Sequence, residues 1–170
     1  MATAHPLQSA LQAAVDDGTF PGAVLAVRLR GAMMFEGAAG LLTQKEPSVP
    51  VSGDTCYDLA SLTKVLATTT ALVLLVQRGL LKLDERIEGI LAELRDHPIG
   101  AATVRHLLTH SSGLPGWRPY YERIASQDAV HPGFLGSAAA RAAVLDYIAA
   151  EELIYERGTR SLYSDLGFML

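Results

Sequence analysis

The sequence has almost no cysteine, which limits the ways in which a fold can be stabilised. Cys56 is the single cysteine among 170 residues, so a disulfide cannot form within the chain. A lone thiol is compatible with a reducing compartment. No local pattern indicates a thiol nucleophile, and we interpret Cys56 as a packing residue. The apolar share of 49% predicts a globular protein with a substantial core.

Clustered positive charge is also missing. Fourteen basic residues stand against 18 acidic ones, the net charge is −4, and no long basic block occurs. Proteins bind nucleic acids and anionic membrane surfaces mainly through clusters of Lys and Arg. The composition therefore predicts no nucleic acid partner and no membrane partner.

A secretory signal and a membrane-spanning run are absent as well. Residues 1–15 contain no basic residue and no continuous apolar core, and a secretory signal needs both. The longest apolar run, residues 65–76, carries three threonines and is shorter than the ~20 residues that cross a bilayer. We therefore expect a cytoplasmic location.

The most informative feature that is present is a serine three residues before a lysine, Ser61 and Lys64, at the start of that apolar run. On a helix, residues three apart share one face, so the two side chains can meet. A helix that is apolar on nearly all sides is expected in an interior. Burial lowers the pKa of a lysine and makes a neutral amine available as a base. A serine beside such a base is an activated nucleophile.

A simpler interpretation of the same spacing is structural. Asp58 and Ser61 are good helix-capping residues, and Lys64 would then be a solvated side chain in the first turn. Short motifs of this kind occur often by chance. The pair alone does not decide between the two interpretations.

The rest of the pattern predicts one hairpin among several helices. We expect a helix over residues 7–15, a β-hairpin over 23–35, short helices over 86–94 and 103–108, a loop over 113–119, an alanine-rich helix over 137–150 and a turn at 158–159. An isolated hairpin is marginal in water, and the chain ends on the apolar run 167–170. We therefore expect residues 1–170 to be the incomplete N-terminal portion of a domain whose sheet lies mostly in a missing C-terminal part.

Several segments resemble one family in matching order. Residues 55–64 are similar to the nucleophile segment of the serine β-lactamase and penicillin-binding-protein superfamily, class C-like branch, which contains β-lactamases, D-alanyl-D-alanine carboxypeptidases and esterases. Residues 104–115 resemble a long signature of that branch, residues 20–23 its first strand, and residues 81–84 its connection after the nucleophile helix. Tyr163-Ser164-Asp165 lies where the branch carries Tyr-x-Asn.

The resemblance implies an α+β fold of the β-lactamase/transpeptidase type and a catalytic set of Ser61, Lys64 and Tyr163. Ser61 would attack a carbonyl and form an acyl-enzyme, while Lys64 and the Tyr163 phenol share the proton transfers. The Ser61 N–H would be one oxyanion donor. The family's second donor lies on a strand with a Lys/His-Thr/Ser-Gly motif, which this sequence lacks. We therefore expect the 170-residue chain alone to be weakly active or inactive.

Asp165 departs from the asparagine of the family and is the predicted substrate-binding residue. An asparagine amide donates to a substrate carbonyl, whereas an ionised aspartate only accepts. A carboxylate beside Lys64 also favours the ammonium. We hypothesise that Asp165 weakens recognition of the amide side chain of a β-lactam and favours esters. Aspartate as an accepted variant without effect is the alternative.

The expected function is serine hydrolysis of a small-molecule ester, amide or β-lactam substrate, without a metal or organic cofactor. His106 and His110 have the four-residue spacing of some zinc ligands, but no glutamate follows His106, and we do not expect a metal site. The alternative function is a non-catalytic binding or assembly module that keeps the fold. Its partner would be the missing C-terminal portion or another copy of the chain.

Overall fold

The computed structural model describes residues 5–170, which divide into two compact units, one up to residue 58 and one from residue 59. The first unit pairs a helix with a hairpin. Helix α1 (Pro6–Asp16) is followed by strands β1 (Gly22–Leu29) and β2 (Ala32–Gly40), which pair antiparallel. The two turn residues between the strands, Arg30 and Gly31, both have positive φ (51° and 86°), as tight two-residue hairpin turns require. The predicted hairpin is confirmed.

The core of the first unit is small. Leu11 of α1 packs with Phe35 and Ala39 of β2, and these are its buried members. His5 accepts a hydrogen bond from the Leu7 N–H and thereby caps α1. The predicted helix over residues 7–15 is confirmed.

The second unit is helical, and its elements are mostly short. A π-helical segment, Lys64–Thr69, continues into α2 (Thr70–Gln77), followed by α3 (Ile87–Ile90), 3-10 turns at Ala92–Leu94 and Pro98–Ala101, α4 (Val104–Leu108), α5 (Tyr120–Val130), α6 (Ala138–Ala149) and α7 (Leu166–Met169). The core of this unit contains Leu94, Ile99, Leu114, Ile148 and Leu166, all of them fully buried. Helices together with one antiparallel hairpin confirm the predicted α+β class.

Helix α4 shows how a five-residue helix can be stable. The Thr103 hydroxyl accepts from the His106 N–H, and His106 Nδ1 accepts from the Thr103 N–H. This reciprocal capping satisfies two backbone donors at the helix start. Val104 and Leu107 are buried. The predicted short helix over residues 103–108 is therefore confirmed, as is the helix of residues 137–150, where Ser137 accepts from the Ala140 N–H.

Helix α5 was not expected from the sequence. Pro119 precedes it without a side-chain cap, and only Tyr120 and Ile124 of its residues are buried. An apolar pattern this sparse gives no strong helical period. The Tyr120 hydroxyl, at the start of the helix, donates to Glu151 at 2.7 Å.

Two expectations about burial were wrong. No residue of Lys64–Gln77 is buried, and Leu66 has 58% of its surface exposed. An apolar run predicts the need for a partner surface, and residues 59–170 do not supply one on all sides of this helix. Cys56 is exposed, so it is not a packing residue. Within residues 5–170, no helix combines the length and the apolar character needed to cross a membrane.

Candidate active site

The π-helical segment and α2 form one continuous helix, Lys64–Gln77, which we call the long helix. Ser61 lies just before it, on an unusual backbone turn. Ala60, directly before it, has a φ of +43°, a region that side-chain-bearing residues seldom adopt. The turn then closes as the Lys64 N–H donates to the Ser61 carbonyl at 3.1 Å. Ser61 is exposed, and its Oγ lies 3.4 Å from Lys64 Nζ. The predicted approach of the two side chains is thus present.

Lys64 is held as a cation, which corrects the expectation of a neutral amine made by burial. Its Nζ forms an ion pair with Asp165 Oδ1 at 2.5 Å, and the side chains are 16% and 32% exposed. The hydrogen bond to Asp165 is the main cause that raises the pKa of Lys64 above its usual value, and it outweighs desolvation. The charged form is therefore favoured in the resting site.

Tyr163 belongs to the same group of side chains, and its pKa is shifted in the opposite direction from that of Lys64. A hydrogen bond from the Ser61 hydroxyl, and then one from Lys64, lowers the pKa of the Tyr163 phenol below its usual value. Lys64 Nζ also lies 5.1 Å from the centre of the Tyr163 ring, within the range of a cation–π contact. Residues from two distant parts of the sequence, 61–64 and 163–165, thus share one hydrogen-bonded group.

The segment that carries Tyr163 and Asp165 is tied to the loop after α4. The Asp165 N–H donates to the Gly116 carbonyl at 2.8 Å. Buried Ser164 donates its hydroxyl to the Pro115 carbonyl at 2.8 Å and accepts from the Gly167 N–H at 3.2 Å. These bonds fix the side chains on both sides of Ser164.

His110 is a site residue whose position sequence reasoning missed. Its ring centre lies 4.6 Å from that of Tyr163 and 5.0 Å from that of Phe168. The sequence showed a histidine four residues after His106, but not that His110 leaves the helix with a φ of +55°. That backbone turn brings the ring to the site, and a histidine at this position does not predict it.

These side chains border an open cleft of about 480 Å³. Its walls are mostly apolar, apart from the reactive groups, and comprise Leu59, Ala60, Ser61, Leu62, Lys64, Val65, Thr69, Leu108, His110, Tyr163 and Phe168. An accessible hydroxyl beside a phenol of lowered pKa and an ammonium can act as a nucleophile with a base and an electrostatic stabiliser.

The two histidines that the sequence offered as zinc ligands have other partners. His106 Nδ1 accepts from the Thr103 N–H and His110 Nδ1 from the Ser164 N–H, both at 3.1 Å. From residue 5 onward, no group of three His, Cys, Asp or Glu side chains is placed to hold a metal ion.

Comparisons with known proteins point in one direction. The family model described as Beta-lactamase matches residues 7–170. An N-acetylmuramyl-L-alanine amidase of Bacillus subtilis is 33% identical over 89% of this chain and 35% of its own length. Esterase EstB of Burkholderia gladioli is 34% identical over 75% of this chain and 37% of its own length.

Solved structures agree with the sequence relatives. A class C beta lactamase from Rhodobacter sphaeroides superposes with a TM-score of 0.66 at 28% identity, over 94% of this chain and 40% of that chain. Another class C beta lactamase gives a TM-score of 0.69 at 25% identity, over 91% of this chain and 39% of that one. The chain spans about a third of the length of these curated relatives. With a β-lactamase-like fold and a family match over nearly its whole length, the chain belongs to the β-lactamase family of serine hydrolases.

Proposed function

We propose that this protein is a serine acyl hydrolase that works through an acyl-enzyme on Ser61. The observation that carries the proposal is the contact of the Ser61 hydroxyl, the Lys64 ammonium and the Tyr163 phenol in one open cleft. Each group has the chemistry that acyl transfer needs: a nucleophile, a base and a fixed positive charge.

In the proposed reaction, Ser61 Oγ bonds to the substrate carbonyl carbon and its proton passes to the Tyr163 oxygen. The lowered pKa of Tyr163 increases the fraction of phenolate that can accept this proton. Lys64, held by Asp165, supplies positive charge beside the phenolate throughout the transfer. The phenol then protonates the leaving group as the tetrahedral intermediate collapses. Water then attacks the acyl carbon and gives its proton to the Tyr163 oxygen. The phenol returns that proton to Ser61 Oγ as the bond between the acyl group and Ser61 breaks, and the acid is released.

The Ser61 N–H is the proposed donor to the oxyanion. It stands at the start of the long helix, where backbone N–H groups point toward incoming negative charge. The family motif that would carry a second donor, Lys/His-Thr/Ser-Gly, does not occur in this sequence. We therefore keep the prediction that this 170-residue chain alone is weakly active or inactive.

We propose small esters as the first substrate class, before amides and β-lactams. The Asp165 carboxylate is engaged with Lys64, and it accepts but cannot donate to an amide side chain of a substrate. One relative is named as an esterase, while another is named as an amidase. The predicted cytoplasmic location also favours small esters over peptidoglycan.

Substrate preference is tested with Asp165→Asn. The full-length enzyme and its Asp165→Asn variant are compared on a nitrophenyl ester and on a penicillin, with kcat/KM as the measure. We expect the variant to gain on the penicillin relative to the ester. Native penicillin turnover that equals or exceeds that of the variant would remove the ester preference.

The acyl-enzyme is tested by covalent labelling followed by intact mass. A fluorophosphonate probe should add one label to the native chain and none to Ser61→Ala. Ser161→Ala is the matched control, because Ser161 is also exposed in the same unit, and it should label like the native chain. Labelling that survives Ser61→Ala would contradict the proposal.

The second candidate is a binding or assembly module without catalysis. The specific observation in its favour is the exposed apolar helix, on which Val65 and Leu66 have 61% and 58% of their surfaces exposed. Such a face is suited to another protein surface. A folded native chain that takes no label at Ser61 would favour this candidate over the enzyme.

A further inference from the structure

We propose that His110 is the positioning residue of Tyr163, and that it holds the phenol at Ser61 only while its imidazole is neutral. The inference rests on the proposed function, in which Tyr163 moves the proton of Ser61. It adds a pH-dependent support to that site which lies outside the Ser61, Lys64 and Tyr163 set.

Both chain neighbours of Tyr163 are bound to His110. The Leu162 N–H donates to the His110 carbonyl at 2.8 Å. The Ser164 N–H donates to His110 Nδ1 at 3.1 Å. One residue therefore holds the backbone on either side of the phenol.

The side chain of Tyr163 also lies on that residue. The two ring centres are 4.6 Å apart, with an angle of 36° between the planes, a separation typical of favourable ring pairs. Backbone and ring contacts together leave the phenol little freedom to turn away from Ser61. A catalytic group gains most from such fixation, because small misplacements cost rate.

The backbone of His110 is itself held by hydrogen bonds to other residues. Its N–H donates to the Leu107 carbonyl at 3.1 Å, and its carbonyl accepts from the Tyr155 hydroxyl at 3.0 Å. Its φ of +55° turns the chain out of α4, so that the ring and the carbonyl face the Tyr163 segment together. Phe168 lies on the ring as well, with centres 5.0 Å apart.

The bond to Ser164 needs an unprotonated Nδ1, so the proton of the neutral ring is on Nε2. The titratable groups that face His110 are Lys64, Tyr163 and Asp165, with Tyr155 at its carbonyl. Burial, followed by the Lys64 charge, lowers the pKa of His110 below its usual value and favours the neutral ring. Protonation would turn the acceptor of Ser164 into a donor and would place a second cation beside Lys64.

The chain supplies a matched control four residues earlier. His106 Nδ1 also accepts a backbone N–H, that of Thr103, at the same 3.1 Å. That bond caps α4 and does not involve the segment of Tyr163. Loss of an imidazole in this part of the chain and loss of the support of Tyr163 can therefore be distinguished.

Three variants of the full 170-residue chain test the inference: His110→Phe, His110→Asn and His106→Asn. Phenylalanine keeps a ring but cannot accept from Ser164, whereas the asparagine oxygen accepts and asparagine tolerates a positive φ. Two measurements follow Tyr163: the rate of Ser61 labelling by a fluorophosphonate from pH 5 to 9, and the NMR titration of a ¹³Cζ-labelled tyrosine ring.

We expect His110→Phe to slow labelling at least tenfold at pH 8 and to raise the pKa of Tyr163. His110→Asn should recover most of the rate at that pH, and the acid-side fall in labelling that His110 causes should be absent. His106→Asn should keep the native pH profile. In the native chain, the Tyr163 signal should show a second inflection as His110 titrates.

The inference is overturned if His110→Phe labels at the native rate with the native profile, or if His106→Asn alters the profile as much as His110→Phe. If His110→Phe does not fold, His110→Asn decides, and an unchanged acid limb overturns the inference. A native chain that takes no label contradicts the proposed function alone. The tyrosine titration then still decides whether His110 supports Tyr163, and a native Tyr163 signal in both His110 variants overturns it.

Discussion

Two regions of the second unit contribute side chains to the same cleft, yet their structures are stabilised in different ways. The capped region, residues 103–116, holds a five-residue helix through reciprocal capping and buried Leu114. The long helix, Lys64–Gln77, is far more apolar and has no buried residue. Length and apolar content therefore do not tell which region is stabilised by contacts within residues 59–170.

The site joins both regions through the ion pair of Lys64 with Asp165 and through the hydrogen bonds of Tyr163 with Ser61 and Lys64. Ser61 and Lys64 come from the start of the long helix, while Tyr163 and Asp165 follow a segment that is bound to the capped region. The contact of Lys64 with Asp165 joins them. Chemistry in this cleft therefore needs the long helix to keep its place although few of its side chains are covered.

The largest effect should come from removing the positive charge of Lys64. Lys64→Met should slow Ser61 labelling by about 10³-fold, within the range for loss of a group that assists proton transfer. Lys82→Met is the control, because Lys82 is exposed elsewhere in the unit, and it should label at the native rate. Equal labelling rates for Lys64→Met and the native chain would show that Lys64 does not assist the reaction of Ser61.

The next effect compares leucines of the two regions directly. Leu114→Ala should lower the free energy of unfolding by about 3 kcal/mol, because a fully buried leucine leaves a cavity. Leu66→Ala, at an exposed position, should lower it by less than about 0.5 kcal/mol. Urea unfolding followed by circular dichroism gives both values. Similar losses would mean that the long helix is covered in solution.

The capped region could be predicted from the sequence for a physical reason. Thr103, a residue type favoured just before a helix, is followed by apolar residues at positions 104, 107 and 108, the spacing of one helix face. The start of the helix follows from this local signal. The pairing of Ser61 with Lys64 was equally local, since helical spacing decides it. Interactions between residues that are close together in the chain can be predicted without knowledge of the fold.

The electrostatics of the site could not be obtained in the same way. The charge on Lys64 depends on Asp165, 101 residues later. The apolar run led to the wrong expectation of a buried, neutral amine, whereas the family resemblance, by placing the Asp165 carboxylate beside Lys64, indicated the ammonium. The placement of His110 depends on a single positive φ. The predicted roles of Ser61, Lys64, Tyr163 and Asp165 remain predictions, although the structure brings the four together.

A smaller effect distinguishes the starts of the two helices. The Thr103 hydroxyl accepts from the His106 N–H, whereas Thr63, before the long helix, makes no capping bond. Thr103→Ala should cost about 1 kcal/mol of unfolding free energy and Thr63→Ala only a few tenths. The urea midpoint is the measure. Equal losses would show that the long helix begins with a cap that forms in solution.

The smallest expected effect is the pH dependence of the ion pair between the regions. The pKa of Lys64 is raised in the folded chain, so its contribution to stability is complete below the unfolded value of about 10.5 and is lost as the pH rises through the folded value. Both partners are partly exposed, so this contribution is about 1 kcal/mol at most. The measure is the difference in urea midpoint between pH 8 and pH 11.

Other lysines and tyrosines titrate in the same window, so the native difference is compared with that of Asp165→Asn, in which the ion pair is absent. We expect the native chain to lose more stability than the variant, because only the native chain has a charge pair to lose. An equal loss in both chains would mean that Asp165 does not hold Lys64 in solution, and the two regions would then be joined by some other contact.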